Sequence, residues 1–243
     1  MAPDNHKGER IAKRIARAGH CSRRQAEALI AEKRISVNGK ILETPACLVT
    51  ADDVIVIDGR PLAATAPTRL FLYHKPAGLV TTARDEKGRR TVFDALPEDL
   101  PRVVSVGRLD LNTEGLLLLT NDGALARHLE LPSNGWKRRY RVRAYGHPDA
   151  GALEKLSRGL TIEGVRYAPI DASIETMRGD NCWIAMGLQE GKNREIRKVL
   201  EHLGLKVNRL IRVAYGPFQL GNLAEGAVRE IPARTIRDQI SGF

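Results

Sequence analysis

The segment VVSVGRLDLNTEGLLLLTNDG, residues 103–123, decides how this chain folds. Two apolar runs, residues 103–106 and 116–119, flank a polar turn that carries Asp110. Short apolar runs bounded by Gly, Asn and Asp are typical of buried strands. Because the connection between two buried strands emerges at an edge of the sheet, this pattern predicts that Asp110 is accessible to a ligand.

The composition predicts a globular protein with a polyanionic partner. The chain has 243 residues, 42% of them hydrophobic, which is enough for two modest domains or one large one. It carries 39 Lys and Arg against 29 Asp and Glu, a formal charge of +10 and a pI near 9.8. Nucleic acid is the first candidate partner, and a basic protein without such a partner is the alternative.

Cysteine usage and hydropathy indicate the compartment. Cys21, Cys47 and Cys182 are far apart and form no CxxC pair, which argues against a zinc site or a disulfide framework. No apolar run approaches the ~18 residues of a membrane helix, and the start MAPDNHKGER lacks the apolar core of a signal peptide. We therefore expect a cytoplasmic protein with no metal and no membrane among its partners.

The first 58 residues predict a small domain of two helices and a hairpin. Apolar residues recur at helical spacing over residues 9–18, and Ser22 with Gln25 matches a capping box that starts a second helix. The Asn-Gly pair at residues 38–39 favours a tight hairpin turn, and residues 54–57 favour a strand. Residues 59–68 (GRPLAATAPT) lack periodicity and predict a linker, so we expect domains at 9–58 and 69–243.

Positive charge is concentrated in the first part of this small domain. Residues 9–40 contain nine Lys or Arg and three acidic residues. On the first helix the basic side chains lie off the apolar stripe, where they could contact phosphates. A merely solvated face is the alternative, although such a face usually mixes charges and this one is expected not to. The candidate RNA-binding residues are Lys13, Arg14, Arg17, Arg23, Arg24, Lys33 and Arg34.

Two later segments supply candidate partners for Asp110. The alternating strand KRRYRVRAYG, residues 137–146, places Tyr140 on its apolar face and arginines on the other. Residues 190–193 predict a turn into a helix whose start carries Lys192, Arg194 and Arg197. Acidic residues would stabilise a helix start by ~0.3–1 kcal/mol each, so this basic start predicts a bound anion. Taken singly, Asp110, Tyr140 and Arg197 have ordinary structural explanations, as a turn residue, a core residue and a surface ion pair.

Family resemblances cover nearly the whole chain. Residues 9–58, with ARAGHCSRRQAE followed by KRISVNGK, resemble the small RNA-binding domain shared by a small-subunit ribosomal protein and several RNA-modifying enzymes. GRLDLNTEGLLLLTNDG, residues 107–123, closely resembles the signature of the pseudouridine synthases, in the branch that carries this small domain at its N-terminus. The same branch is matched, in order, by YHKPAG, RRYRV, EGKNREIRKVLEHLG and RLIRVAYG.

The resemblance implies a fold and a chemistry. The fold is α+β, with a mixed, mainly antiparallel sheet flanked by helices in the second domain. Asp110 is the catalytic aspartate, which attacks covalently or removes a sugar proton, and either role requires it to be ionised. Arg197 is its cationic partner, and Tyr140 stacks on the uracil and helps to move a proton. No cofactor is implied.

The resemblance also implies a substrate and its contacts. Arg108, Lys192 and Arg194 are expected to contact RNA, and Lys75 is expected to be part of a loop scaffold rather than a catalyst. VFDALP, GRLDLNT and LIRVAYG are most similar to enzymes that act on large-subunit ribosomal RNA. We therefore expect ribosomal RNA or an assembling ribosomal subunit as the partner of a monomer. A small-subunit RNA enzyme and a noncatalytic ribosome-assembly factor are the alternatives.

Overall fold

The computed structural model describes residues 8–243, and the chain divides after Thr68 into two compact units. Each unit has its own buried core. Residues 1–7, most of the segment in which no signal peptide is expected, lie outside the described residues. Within residues 8–243 no helix is both long and apolar enough to cross a membrane.

The small unit consists of two helices and short strands. Its largest sheet has the order β3-β2-β5-β6, and β1 pairs separately with β4. Isoleucines from both helices and from the sheet form the core, and Ile11, Ile15 and Ile30 are fully buried. The elements are α1 (Ile11–Arg17), α2 (Arg23–Ala31), β1 (Glu9–Arg10), β2 (Ile35–Val37), β3 (Lys40–Ile41), β4 (Leu48–Val49), β5 (Ile55–Ile57) and β6 (Arg60–Pro61).

Local sequence signals account for most of this unit. The Ser22 hydroxyl accepts a hydrogen bond from the Gln25 amide, and the Gln25 side chain accepts one from the Ser22 amide, so the predicted capping box is confirmed. Asn38 and Gly39 have φ of 49° and 78°, as a tight hairpin turn requires, and this turn joins β2 to β3.

Two predicted boundaries in this unit were wrong. The first helix starts at Ile11 instead of residue 9, because Glu9–Arg10 pairs with β4 as a strand. The predicted linker 59–68 begins with β6, because a second tight turn at residues 58–59 folds Arg60–Pro61 back onto β5. Proline is tolerated there since β6 is an edge strand.

The large unit is built on one nine-stranded mixed sheet. Its main path is β13-β14-β10-β15-β9-β7-β17, and only β15 and β9 pair in parallel. The α+β fold with a mixed, mainly antiparallel sheet is confirmed. Its strands in that sheet are β7 (Leu70–Lys75), β8 (Val104–Val106), β9 (Glu114–Thr120), β10 (Arg138–Tyr145), β13 (Asp171–Arg178), β14 (Asn181–Leu188), β15 (Lys206–Tyr215), β16 (Phe218–Gln219) and β17 (Val228–Ile231).

Helices and a separate hairpin flank the sheet. The helices are α3 (Gly123–Glu130), α4 (Ala150–Lys155), α5 (Glu195–His202) and α6 (Ala233–Gln239), and the hairpin is β11 (Leu160–Ile162) with β12 (Val165–Tyr167). The chain breaks between β12 and β13, because β12 pairs only with β11 while β13 pairs with β14.

The segment at residues 103–123 forms two paired strands in the middle of this unit. β8 and β9 are antiparallel, with Val106 opposite Leu118, so the prediction of two buried strands around Asp110 is confirmed. Leu116 and Leu118 pack into one core cluster, and Leu117 and Leu119 pack into another on the other side. Strand β9 is therefore buried on both faces, which explains its uninterrupted leucines.

Gly115 is required where the parallel pair begins. Its φ is +99°, and a Cβ atom at this position would lie 2.3 Å from the Arg212 carbonyl oxygen on β15. Only glycine allows the two backbones to approach so closely. The close approach fixes the start of β9, and with it the loop that carries Asp110.

Candidate active site

The β8–β9 loop, strand β10 and the start of helix α5 enclose a cavity of about 310 Å³. Asp110 is half-buried in the loop, and Tyr140 faces the cavity from β10. The structure thus brings together Asp110 and Tyr140, which are 30 positions apart in the sequence. The cavity is lined by Arg108, Leu109, Asp110, Thr113, Tyr140, Leu188, Gly191, Lys192, Asn193, Arg194, Glu195, Ile196 and Leu210.

The backbone on both sides of Asp110 is held by buried hydrogen bonds. The Thr81 hydroxyl donates to the Leu109 carbonyl (2.9 Å) and accepts from the Leu109 amide (3.3 Å). The Gly78 amide donates to the Leu111 carbonyl (2.8 Å). These bonds fix the residues before and after Asp110, so its carboxylate is presented from a rigid loop. Thr81 was not singled out from the sequence, because nothing local marks its contact with a loop 28 residues later.

Lys75 lies beneath the same loop. It is fully buried, and its ammonium group donates to the carbonyls of Pro76 (2.9 Å), Leu111 (3.3 Å) and Thr113 (2.9 Å). Burial lowers the pKa of Lys75 to about 8, although the charges of Asp110 and Glu114 oppose this shift. The prediction that Lys75 is part of a loop scaffold is confirmed.

Tyr140 is half-buried on the apolar face of β10. It packs against two of the large unit's core clusters, as its alternation with Val142 and Ala144 predicted. The opposite face of β10 carries exposed arginines, and Arg141 bonds to Glu175 (2.7 Å) and stacks over the Trp183 ring. Strand pleating alone therefore separates the cavity face from a basic outer face.

The start of α5 differs from the sequence-based interpretation. Glu195 lies in the first turn with 3% of its surface exposed, and its carboxylate accepts a hydrogen bond from the Lys192 amide (2.8 Å). The Lys192 ammonium pairs with Glu190. The carboxylates of Glu190 and Glu195 therefore partly offset the positive charge at the start of α5, which the sequence alone did not indicate.

Burial dominates the electrostatics of Glu195. It raises the pKa of the carboxyl above its ordinary value, against the hydrogen bond from Lys192 and the positive charges of Lys192 and Arg138. Its Oε1 atom is buried without a hydrogen-bond partner. Glu195 was overlooked because its burial depends on the tertiary packing of α5.

Arg197 is near Asp110 but bonds to backbone carbonyls. Its guanidinium donates to Asn112 (3.0 Å), two residues beyond Asp110 in the loop, and to Val207 (3.3 Å). Burial and the charge of Arg194 lower the pKa of Arg197, whereas the charge of Asp110 raises it. The two side chains therefore interact through charge, and Arg197 also ties α5 to the Asp110 loop.

The remaining predicted contact residues lie in two places. Arg108 and Arg194 are exposed on the cavity of the large unit. In the small unit, basic side chains surround a groove next to α1. Arg23 lines this groove, and both Arg23 and Arg24 are exposed at the start of α2.

Several basic side chains of the small unit are already paired with acids. Arg17 (2.6 Å) and Lys13 (3.8 Å) both pair with Glu9, which corrects the expectation of a face without mixed charges. Arg14 donates to the Thr65 hydroxyl (2.6 Å). Two further basic residues are exposed in ion pairs: Lys33 with Glu43, and Arg34 with Asp58 and Glu32.

Comparison with known proteins identifies the class. Residues 69–202 match the profile of the RNA pseudouridylate synthase family, and residues 9–55 match that of the S4 domain. The chain belongs to the RNA pseudouridylate synthase family. It is an RNA pseudouridine synthase with an N-terminal S4 domain.

Individual relatives agree over most of the chain. An RNA pseudouridine synthase of Rickettsia bellii is 49% identical over 223 residues, covering 92% of this chain and 96% of the relative. Ribosomal large subunit pseudouridine synthase B of Yersinia pestis is 43% identical over 219 residues, covering 88% of this chain and 69% of the relative. A crystal structure of a pseudouridylate synthase superposes with a TM-score of 0.66 at 25% identity, covering 95% of this chain and 99% of that one.

Proposed function

We propose that this enzyme isomerises a specific uridine of large-subunit ribosomal RNA to pseudouridine, with Asp110 as the essential carboxylate. One observation carries the proposal. Asp110 and Tyr140 share a cavity in a chain of this family, and buried hydrogen bonds hold the backbone beside Asp110. The similarity to the Yersinia pestis relative supports the large-subunit substrate.

Each of the three central residues has a role in the proposed reaction. The N1–C1′ glycosidic bond breaks, the uracil rotates, and C5 bonds to C1′ before the proton on C5 is lost. Asp110 either attacks the sugar or removes a sugar proton, and both roles need its ionised form. The positive charge of Arg197 favours that form, and Tyr140 stacks on the base and assists proton movement.

The target uridine has to leave its stack to enter the cavity. Flipping costs a few kcal/mol, and least in a loop where the base is already unpaired. Arg108 is exposed at the cavity and two residues from Asp110, which suits it to fill the gap or to hold a phosphate. Lys192 and Arg194 add positive charge at the cavity wall.

The S4 domain supplies a second RNA contact. Its basic residues are suited to grip structured RNA through shape and backbone phosphates. The partner is ribosomal RNA, free or within an assembling subunit. We propose that the enzyme acts there as a cytoplasmic monomer, without a metal or another cofactor.

Replacement of the catalytic carboxylate tests the proposal. Asp110→Asn keeps the side-chain shape and removes the charge, so we expect RNA binding to remain within a few-fold and pseudouridine formation to be abolished. Exposed Asp99→Asn is the matched control and should behave like the wild type. Pseudouridines are mapped by chemical labelling and primer extension in both ribosomal RNAs of cells that carry each variant. Pseudouridine formation that persists in Asp110→Asn would exclude Asp110 as the catalytic carboxylate. If the pseudouridine that disappears lies in small-subunit RNA, the substrate is small-subunit and not large-subunit RNA.

A further inference from the structure

A second cavity adjoins the start of α5. It has a volume of about 430 Å³ and lies between this helix and the first residues of β15. Arg194 lines both this cavity and the one that holds Asp110. The two cavities are therefore neighbours on one surface of the large unit. The second cavity is lined by Arg194, Arg197, Glu201, Gly204, Leu205, Lys206 and Val207.

The charge of this lining is positive and unpaired. It holds three cations and one acidic residue, Glu201. In the part of the chain that the structure describes, no carboxylate forms an ion pair with Arg194, Arg197 or Lys206. A cavity that gathers cations without pairing them is suited to an anion.

Some other arginines of the same unit are held by acidic side chains. Arg69 bonds to Glu230 through two nitrogens (2.7 and 2.6 Å), and Arg209 bonds to Glu114 (2.7 Å). Arg141 bonds to Glu175 (2.7 Å). The cations around the second cavity lack such a carboxylate partner, and they are distinguished by lining one cavity together.

Arg197 gives the cavity an internal reason to attract an anion. Its Nε atom is buried without a hydrogen-bond partner. The charge of Arg194 lowers the pKa of Arg197, which means that the two cations repel each other. An anion between them would relieve the repulsion and add charge-assisted hydrogen bonds.

We propose that the second cavity binds the phosphodiester of a nucleotide next to the target uridine. The inference rests on the proposed function, because a uridine in the Asp110 cavity places the adjoining RNA chain beside Arg194. Arg194 precedes α5 and Lys206 begins β15; both are exposed and hold the phosphate in the cavity, of which Arg197 forms part of the wall. The subsite fixes the RNA chain beside the flipped base.

Neutral linkages in the RNA test this contact. The substrate is an RNA hairpin around the mapped target uridine, with one phosphodiester at a time replaced by an uncharged methylphosphonate. Binding is measured for the full-length wild type, Lys206→Ala, Lys206→Arg and the control Lys155→Ala, which removes an exposed lysine on α4. We expect one linkage near the uridine to weaken wild-type binding by ~10-fold when it is neutral, as loss of a charge-assisted hydrogen bond would.

The proposal is tested by whether Lys206→Ala changes the effect of the neutral linkage on binding. Lys206→Ala should bind the native hairpin ~10-fold more weakly and lose clearly less at the neutral linkage than the wild type does, since the Lys206 contact is already absent and only that of Arg194 remains. Lys206→Arg and Lys155→Ala should remain as sensitive to that linkage as the wild type. Equal, additive losses in the wild type and Lys206→Ala at every linkage would overturn the proposal, as would a wild type insensitive to all of them.

Competition with inorganic phosphate distinguishes an RNA phosphodiester from a free phosphate ion as the anion that this cavity binds. We expect low-millimolar phosphate not to displace the hairpin, because a single free anion lacks the rest of the RNA contact. Displacement that disappears in Lys206→Ala would identify a free-anion site and overturn the RNA assignment. If the wild type forms pseudouridine but shows no coupling, only the subsite is wrong. If it modifies no RNA, the proposed function itself is wrong.

Discussion

Lys75 shows how one buried side chain can organise a site without touching a substrate. Its ammonium group donates to two carbonyls just after Asp110 in the chain, those of Leu111 and Thr113. Thr81 holds the other side of the loop at Leu109. Placement to within about 1 Å can change a rate by 10²-fold, so these bonds are part of the proposed catalytic geometry.

Lys75 also makes stability depend on pH. Its pKa is about 8 in the folded protein and 10.5 ordinarily, so between these values the unfolded chain binds more protons than the folded one. The free energy of unfolding should therefore rise from pH 8 to pH 10.5. Lys75→Met should remove this rise and, by removing three hydrogen bonds to loop carbonyls, destabilise the protein by about 2 kcal/mol at pH 7.

Urea unfolding at a series of pH values measures both effects. Exposed Lys87→Met is the matched control and should keep the rise of the wild type. The same rise in Lys75→Met and the wild type would show that another group titrates in this range. Activity should fall in Lys75→Met as well, because the Asp110 loop loses its support.

At the scale of elements, the start of α5 connects both cavities. The Glu195 carboxylate accepts from the Lys192 amide, and the Glu195 amide donates to the Lys192 carbonyl (3.2 Å). This reciprocal pair closes the turn before the helix. Arg194 within that turn has φ of 53°, a left-handed conformation that a non-glycine residue adopts only when its surroundings hold it there.

Truncation of Glu195 should loosen this turn. We expect Glu195→Ala to reduce kcat/KM for RNA by about 10-fold and stability by about 1 kcal/mol, as for loss of a helix cap. Glu195→Gln keeps an oxygen that can accept from Lys192 and should recover most of the activity. Steady-state kinetics and thermal unfolding measure the two effects.

The control for Glu195 lies on the same helix. Exposed Glu201→Ala removes the same type of side chain two turns further along and should leave stability unchanged. If Glu195→Gln is as defective as Glu195→Ala, the negative charge rather than the hydrogen bond is what the site requires.

At the scale of the whole molecule, RNA binding depends on which basic residues are free of ion pairs. The S4 domain contains nine Lys or Arg over residues 9–40, yet several are held in ion pairs with acids of the same unit. Arg23 and Arg24 are exposed on α2, and no ion pair involving either is found in residues 8–243. Free cations release more counterions from RNA than paired ones do.

The salt dependence of RNA binding should distinguish these groups. We expect Arg23→Ser with Arg24→Ser to weaken binding and flatten the plot of log affinity against log salt by about one to two units of slope. Arg34→Ser should have a smaller effect, because Arg34 already bonds to Asp58 (2.7 Å). Titrations of the full-length variants with ribosomal RNA at several salt concentrations measure the slopes. An unchanged slope in the double variant would show that the start of α2 does not contact RNA phosphates.

Local sequence rules predicted the elements that depend on neighbouring residues. The Ser22 capping box, the Asn38 hairpin and the inward side of β10 follow from hydrogen bonds and periodicity within a few residues. The boundaries that were wrong, at β1 and β6, depend on pairing with other strands. Such pairing is decided by partners elsewhere in the chain.

The sequence by itself determined the α+β fold, the family and Asp110 as the first residue to test. Those conclusions rest on the segment at residues 103–123 and on motifs that are contiguous in the chain. The tertiary structure alone decided what surrounds Asp110: Lys75 beneath its loop, Glu195 buried at the cavity, and Lys206 beside the second cavity. The physical reason is burial, because a carboxylate or an ammonium group acquires a structural role only when folding removes water and leaves specific partners.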